Sequence, residues 1–353
     1  MQDMINMRVA IIGLGRVGFS FGLSEKRVQP ASHLACLSAL HHKIAVCDSD
    51  PDKLAYASET IKDTGKAVYS DVSEMMREFK PEFVLIATPT PTHYDVVLNV
   101  ASYSCVKAIF LEKPIAQSLS EAEEMVKVCA NKGIRLNVNY TRRWSKVYSE
   151  VHRLIISDKI GVVKTIYGLH PGPLLRTGSH MLDLFGMFID KKVQSVQAFG
   201  EACHNYLMKE DPTVNDFNIN GVIRYVSGAE AVLLSGSEKP YLLFEVDIHG
   251  SKGRIRISDN GSEITVFQSH PSLRYDGINE LQQTLFMRQE QDNMLLNAIT
   301  QVTQRKPYGH IGCTGEYALK TLNIALALHY SAMHKNKLVG IDTVPKDYTI
   351  RSW

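Results

Sequence analysis

The chain has 353 residues, of which 44% are hydrophobic and 22% are charged, and its formal net charge is +2. This length exceeds one comfortable hydrophobic core, so we expect two domains. A near-neutral charge without a dense Lys/Arg block argues against nucleic acid, and no apolar run is long enough to span a bilayer. Six dispersed cysteines without a C-x-x-C pair and no early leader indicate a cytoplasmic protein, and the scattered histidines lack metal-ligand spacing.

A glycine-rich run follows the first predicted strand, Arg8–Ile12. Its residues are Gly13, Leu14, Gly15, Arg16, Val17 and Gly18. The first glycine permits a tight turn, the second lets a pyrophosphate approach the backbone, and the third allows a helix to pack closely on the strand. Such a run also occurs in ordinary turns. Its place between a strand and a predicted helix start favours a dinucleotide site, with the helix N-terminus facing the phosphates.

An acidic residue ends the second predicted strand, where Asp48 and Ser49 follow Cys47. A carboxylate here accepts hydrogen bonds from ribose hydroxyls and repels a 2′-phosphate, so NAD(H) is favoured and NADP(H) stays open. Alternatively, Asp48 caps the helix before Pro51, a role that Asp50 could fill instead. The spacing from Gly18 is longer than usual, which predicts an insertion or a longer helix over 23–41.

Strand and helix signals alternate through the first part of the chain. Predicted strands continue at Ile44–Cys47, Phe83–Ala87, Ala108–Leu111 and Ile134–Val138, and predicted helices lie at Val72–Phe79, His93–Ala101 and Ser120–Asn131. This alternation predicts an α/β Rossmann domain with a doubly wound parallel sheet over residues 1–140.

Strand signals dominate the rest of the chain, residues 141–353. They lie at Val163–Leu169, Val193–Gly200, Asn218–Tyr225, Ala229–Ser235, Leu242–His249, Arg254–Ile257 and Glu263–Phe267, with helices at Arg142–Ile156, His180–Ile189, Glu290–Thr303 and Gly315–His334. We expect an α+β domain whose sheet is open and mostly antiparallel.

Two loops follow strands at the carboxyl edge of the predicted parallel sheet, where ligands bind in such folds. The first runs from Thr88 and Pro89 to His93, and the second is Glu112-Lys113-Pro114. A lysine at this edge can bind a substrate hydroxyl and accept its proton. The alternatives are a rigid turn for the first loop and a solvated strand end for the second.

Together these motifs resemble the Gfo/Idh/MocA oxidoreductases in order and spacing. The resemblance implies a Rossmann domain, a second domain with an open sheet, and a homodimer or homotetramer formed sheet to sheet. It also implies that Lys113 orients substrate and assists proton transfer, that the Lys113–Pro114 bond is cis, and that Thr88, Pro89, His93 and Glu112 line the cofactor.

The stretch from Gly178 to Leu184 is similar to the second-domain signature of that family. The resemblance makes His180 a general acid/base or substrate ligand, with Asp183 one turn later able to orient it. Alternatively, His180 caps a helix and Asp183 is solvated. Arg176 and Thr177 precede the signature, and Arg176 stands where many sugar dehydrogenases carry Asp. An arginine cannot act as a base but can hold a carboxylate or phosphate.

Arg143 and Trp144 follow the last Rossmann strand, where the family commonly has an arginine near the active-site rim. They are candidates for contacts with a sugar or base, although a helix start with packing aromatics explains them almost as well.

The resulting prediction is an NAD(H)-dependent oxidoreductase acting on a secondary alcohol or ketone of a sugar, sugar acid or nucleotide sugar, with Lys113 and His180 managing the hydroxyl proton. A non-catalytic dinucleotide-binding regulator of the same fold is the alternative. A reductase of an unsaturated or tetrapyrrole-like substrate is a third possibility.

Overall fold

A computed structural model describes residues 7–40, 42–61, 67–189, 192–203, 214–236, 241–275, 278–290, 292–303 and 312–352. The chain divides into two compact units, Met1–Trp144 with Asn293–Leu319 and Ser145–Asp292 with Lys320–Trp353. The sequence predicted a domain boundary after residue 140, and the first unit's N-terminal segment ends at Trp144. The sequence did not predict that Asn293–Leu319 also belongs to the first unit. Within the described ranges, no helix has the length and apolar character needed to cross a bilayer.

The first unit is built on a six-stranded parallel sheet, as the alternating pattern predicts. Its strands are β1 (Arg8–Ile12), β2 (Lys43–Cys47), β3 (Ala67–Tyr69), β4 (Phe83–Ile86), β5 (Ala108–Leu111) and β6 (Arg135–Val138). They lie in the order β3-β2-β1-β4-β5-β6, the doubly wound arrangement. The helices are α1 (His33–Ala39), α2 (Pro51–Ile61), α3 (Val72–Glu78), α4 (His93–Ala101) and α5 (Leu119–Asn131), joined by α8 (Met294–Thr303).

The carboxyl ends of five strands of this sheet stand at one level. Ile12 pairs with Cys47 and with Ile86, and Leu111 pairs with Ile86 and Val138. The residues that follow these strand ends therefore emerge side by side at one edge of the sheet. This register is what brings the predicted loops together.

The first helix differs from the prediction, because residues 19–32 interrupt it. The Gly-rich run is followed by turns and a short 3₁₀ segment, Ser20–Leu23, and α1 begins only at His33. The amides of His33 and Leu34 donate to the carbonyls of Val17 and Gly18 at 2.9 and 3.1 Å. The long spacing between Gly18 and Asp48 predicted an insertion, and the inserted residues interrupt the helix that begins at the Gly-rich loop.

The second unit is built on a nine-stranded, mostly antiparallel sheet. Its strands are β7 (Val163–His170), β8 (Val193–Cys203), β9 (Asn218–Tyr225), β10 (Glu230–Ser235), β11 (Glu245–Gly250), β12 (Gly253–Ser258), β13 (Glu263–Tyr275), β14 (Ile278–Arg288) and β15 (Val339–Gly340). The order is β14-β13-β12-β11-β7-β10-β9-β8-β15, and β7 with β10 is the parallel pair among its described strands. The polar strand β14 was not predicted.

Three helices accompany this sheet: α6 (Lys146–Ile156), α7 (Ser179–Ile189) and α9 (Gly315–Met333), the last of which begins in the first unit. Helix α7 approaches β7 closely at Gly168, where a Cβ atom would lie 2.5 Å from the Met181 sulfur. A side chain at this position would require the Met181 and Phe185 side chains to move, so glycine permits this close packing of the helix that carries His180.

Candidate active site

The Gly-rich loop has the geometry that its three glycines predict. Gly13 adopts φ of +96°, and a Cβ there would lie 2.7 Å from the Ala87 carbonyl. A Cβ on Gly18 would lie 2.0 Å from the Gly13 oxygen, whereas a Cβ on Gly15 would meet no atom within 4 Å. Gly13 and Gly18 therefore shape the loop, and Gly15 leaves its backbone open to close approach.

Asp48 is tied to this loop. Its Oδ2 accepts the Leu14 amide at 2.6 Å, and its Oδ1 accepts the Asp50 amide at 2.9 Å. The cap of α2 is Asp50, whose Oδ1 accepts the amides of Asp52 and Lys53. The capping alternative for Asp48 is therefore wrong, and its carboxylate faces the Gly-rich loop.

His93 joins the two loops that follow β4 and β5. The residue is buried, with its Nδ1 2.9 Å from the Pro114 carbonyl oxygen and its Nε2 3.0 Å from the Thr88 carbonyl oxygen. Burial lowers the pKa of the ring, although the nearby carbonyls and the Glu112 charge oppose this effect. His93 was predicted to line the cofactor; the structure instead makes it an internal brace.

Glu112 and Lys113 emerge at the same edge. The Lys113–Pro114 peptide bond is cis, as the resemblance implied. Glu112 Oε1 accepts hydrogen bonds from His33 Nε2 at 2.8 Å and Asn139 Nδ2 at 2.7 Å. Burial acts to raise the pKa of Glu112, but these hydrogen bonds and the charges of His33 and Lys113 lower it below its usual value.

The residues at this edge fit a nicotinamide dinucleotide. Buried polar atoms without a partner among the described residues include Thr88 Oγ1, His33 Nδ1 and Asn139 Oδ1. Buried polar atoms ordinarily have hydrogen-bond partners, and a dinucleotide carries hydroxyl and carboxamide groups that can supply them. The open backbone at Gly15 fits its pyrophosphate.

Arg143 and Trp144 are both fully buried in the first unit. The Trp144 ring packs edge-on against Phe110, and the Arg143 guanidinium lies 4.8 Å from the Tyr317 ring centroid. Trp144 is therefore a core residue, which corrects its prediction as a substrate contact. Arg143 is enclosed in the same way, which also argues against its predicted contact with substrate.

In the second unit, the predicted substrate residues occupy the start of α7. Residues Leu174–Gly178 form a π-helical turn that leads into the helix. The Thr177 hydroxyl donates to the Pro173 carbonyl oxygen at 3.0 Å, and its oxygen lies 3.4 Å from His170 Nδ1. The structure thus gathers Arg176, Thr177, His180 and Asp183 on one continuous helical segment. Asp183 is buried rather than solvated.

The carboxylate of Asp216 anchors this segment. It is buried and accepts the amides of Leu175 and Arg176 at 2.8 and 3.0 Å, and the hydroxyl of Ser352 at 2.7 Å. A carboxylate at a helix N-terminus satisfies amides that have no intrahelical partner. The backbone of Arg176 is thus fixed.

Sequence reasoning did not select His33, Asn139 or Asp216. Asn139 follows β6 at the same sheet edge as Lys113, so its position after a buried strand was a usable signal. His33 lies beyond an insertion and Asp216 lies far from the segment that it anchors, so neither has a local signal.

Family models match both units. Residues 7–140 match an oxidoreductase family with an NAD-binding Rossmann fold, and residues 167–256 match the Gfo/Idh/MocA C-terminal domain. The chain belongs to the Gfo/Idh/MocA family. The resemblance and the predicted α/β fold with its open second sheet are confirmed, and the Rossmann unit is an NAD-binding domain of an oxidoreductase.

Two bacterial dehydrogenases are similar to this chain over most of its length. It is 24% identical over 294 residues to scyllo-inositol 2-dehydrogenase (NAD(+)) of Bacillus subtilis, covering 78% of this chain and 81% of that protein. It is 29% identical over 275 residues to D-apiose dehydrogenase of Rhizobium rhizogenes, covering 73% and 75%. In fold it matches a super-repressor mutant of Gal80p from Saccharomyces cerevisiae, with a TM-score of 0.76, 14% identity, and 96% and 99% of the two chains covered.

Proposed function

We propose that this protein is an NAD(H)-dependent dehydrogenase that acts on a secondary alcohol of a sugar or polyol. The observation that carries the proposal is the position of Lys113. It follows β5 at the sheet edge where the Gly-rich loop, Asp48 and Thr88 also emerge, on a turn braced by His93. Inositol and apiose dehydrogenases among its relatives support the same class of substrate.

Lys113 handles the proton of the reacting hydroxyl, and His180 of α7 is a second candidate general acid/base or substrate ligand. In the oxidation direction, Lys113 accepts that proton as the substrate carbon is oxidised, and in reduction it returns the proton. When bound, the nicotinamide cofactor supplies the two-electron redox chemistry. The protein contributes position and charge, which explains the many contacts that fix the loops around Lys113.

Asp48 supports NAD(H) over NADP(H). Its carboxylate is held beside the Gly-rich loop by the Leu14 amide. A fixed negative charge at the end of β2 accepts ribose hydroxyls and repels a 2′-phosphate.

Arg176 supports an anionic sugar as substrate. Asp216 accepts the Arg176 backbone amide and so fixes the backbone that carries the guanidinium. A guanidinium stays charged at every working pH and matches a carboxylate or phosphate with two parallel hydrogen bonds. Sugar acids and nucleotide sugars are therefore proposed ahead of neutral polyols.

A matched substrate panel tests this proposal. Reduction of NAD+ is followed spectroscopically with neutral sugars and inositols, the corresponding uronic acids, and nucleotide sugars. We expect turnover with members of this panel, better with the acid than with its neutral parent, and an Arg176→Gln variant that loses the advantage of the acid. NAD+ binding without turnover of any member would favour the regulatory alternative.

A homodimer formed through the open face of the nine-stranded sheet is part of the proposal. On β7, Ile166 and Gly168 are buried, and Tyr167 on the opposite face is 44% exposed. Tyr167 has Val232 of β10 and Asp247 of β11 as its neighbours, a mixed apolar and charged surface that suits association. Tyr167→Glu should convert the dimer to monomer in sedimentation equilibrium, whereas Val226→Glu, an exposed control outside the strands, should not.

A further inference from the structure

A buried cluster of polar side chains lies behind the turn that carries Lys113. It consists of His33, Glu112 and Asn139, which come from α1, the end of β5 and the end of β6. His33 is wholly buried, Asn139 is 2% exposed, and the Glu112 side chain is 14% exposed. A carboxylate is rarely enclosed to this degree unless it is paired.

The insertion in the first helix preserves the position of His33. The hydrogen bonds from His33 and Leu34 to Val17 and Gly18 span sixteen residues each, where an α-helix spans four. Twelve residues are therefore looped out, and α1 resumes the helical register that starts at Gly18. His33 consequently lies within one turn of the Gly-rich loop, although fourteen residues separate it from Gly18 in the sequence.

Two donors converge on one oxygen of Glu112. His33 Nε2 and Asn139 Nδ2 lie 2.8 and 2.7 Å from Oε1. A carboxylate only accepts hydrogen bonds, so the hydrogen of the His33 ring in this contact is on Nε2. The other ring nitrogen, Nδ1, is buried without a partner among the described residues. The ring also packs near Phe110 of β5, with centroids 5.9 Å apart.

We propose that His33, assisted by Asn139, is a positioning residue that holds the Glu112 carboxylate beneath the turn carrying Lys113. This inference rests on the proposed function, because it assigns Lys113 to the reacting hydroxyl. It connects the helix of the Gly-rich loop to the proton-handling lysine through a single buried carboxylate. The charged or titratable groups facing that carboxylate are His33 on α1, Lys113 on its own turn and His93 on α4.

His33 affects turnover through the charge of Glu112 as well as through the position of its carboxylate. With both donors in place, Glu112 stays ionised and its negative charge stabilises the Lys113 ammonium beside it. Without His33, a hydrogen bond and a charge that lower the pKa of Glu112 are gone, so burial raises that pKa and the negative charge beside Lys113 is weakened. Lys113 then loses its proton more readily, and the pH dependence of turnover moves to lower pH.

The activity test compares His33→Phe, which keeps a ring against Phe110, with His33→Gln, whose amide can still donate to Glu112. We expect His33→Phe to lower kcat about tenfold, to change the substrate KM less than about twofold, and to move the ascending limb of the kcat–pH profile down by at least about half a unit. His33→Gln should restore the wild-type profile. His42→Phe is the matched control, because His42 lies before β2 at the amino ends of the strands. This variant should change neither kcat nor the pH profile.

A second measurement needs no activity. Thermal unfolding of wild type, His33→Phe, Glu112→Gln and the double variant forms a cycle that reports the coupling of the pair. We expect the double variant to lose clearly less stability than the two single losses combined. Additive losses would overturn the pairing, and a His33→Phe enzyme with an unmoved pH profile would overturn the positioning role. Normal turnover by a Lys113→Ala enzyme would instead overturn the proposed function, whatever the cycle shows.

Discussion

The carboxylate of Asp48 accepts the backbone amide of Leu14 at 2.6 Å, and this contact joins the end of β2 to the Gly-rich loop. One side chain therefore shapes the loop and carries the negative charge on which cofactor choice depends.

Asp48→Asn removes the charge while its one amide oxygen can still accept the Leu14 hydrogen bond, although the hydrogen bond from the Asp50 amide is lost. We expect the ratio of NADP(H) to NAD(H) affinity to rise about tenfold, which is about 1.4 kcal/mol. Equilibrium binding of both cofactors measures it, with the melting temperature as the control for folding. An unchanged ratio would contradict the assigned role.

Gly15 and Gly18 should respond differently to the same substitution. A Cβ on Gly15 meets no atom of the protein, whereas a Cβ on Gly18 would lie 2.0 Å from the Gly13 oxygen. Gly15→Ala should therefore leave the melting temperature nearly unchanged but weaken NAD+ binding strongly, since the added methyl occupies the space for the pyrophosphate. Gly18→Ala should destabilise the fold itself. Equal losses of stability in Gly15→Ala and Gly18→Ala would contradict the different roles assigned to these two glycines.

Sequence patterns predicted the fold well where hydrophobic periodicity was strong. The buried strand Ala108–Leu111 and the helix ending at Ile189 were recognised because their apolar residues are regular. The three-residue strand Ala67–Tyr69 and the exposed strand Ile278–Arg288 were missed because neither has a buried face of sufficient length.

The candidate site could be predicted only where its residues follow a strand or belong to a motif. Lys113 and Asp48 met that condition. His93 was identified, but its burial between two carbonyl groups is a tertiary property that the sequence does not show. His33 was hidden by the insertion, and Asp216 acts on amides about forty positions earlier in the chain.

Protein stability should fall as the pH drops below neutrality, partly because of His93. Burial lowers the pKa of this ring in the folded protein. Below the unfolded value of about 6.5, the unfolded chain therefore binds a proton that the folded protein does not, and stability is lost at up to about 1.4 kcal/mol per pH unit. Stability from this residue is fully present above that pH. The pKa values of His42 and His329 are lowered by burial in the same direction.

A His93→Gln variant measures this contribution. The dependence of the unfolding free energy on pH between 7 and 5.5 should be shallower in the variant than in wild type. A His93→Gln slope equal to that of wild type would remove His93 from the account.

Replacement of Asp216 should lower activity although its carboxylate binds backbone amides rather than substrate. Asp216→Ala leaves the amides of Leu175 and Arg176 without their acceptor and loosens the turn before His180. We expect a loss of kcat/KM of about tenfold or more, with NAD+ affinity unchanged. Hydrogen exchange should be faster at residues 175 and 176. Ser352→Ala removes a single hydrogen bond to Asp216 and should lower kcat/KM less. Unaltered kcat/KM in Asp216→Ala would contradict the anchoring role.

The most direct test of the central claim is the turnover number of Lys113→Ala, measured beside its NAD+ affinity on a substrate identified from the panel. We expect a fall in kcat of about a thousandfold or more with NAD+ affinity within about threefold of wild type, because the lysine handles the substrate proton rather than holding the cofactor. A Lys113→Ala enzyme that binds NAD+ and turns over at a near-normal rate would contradict it.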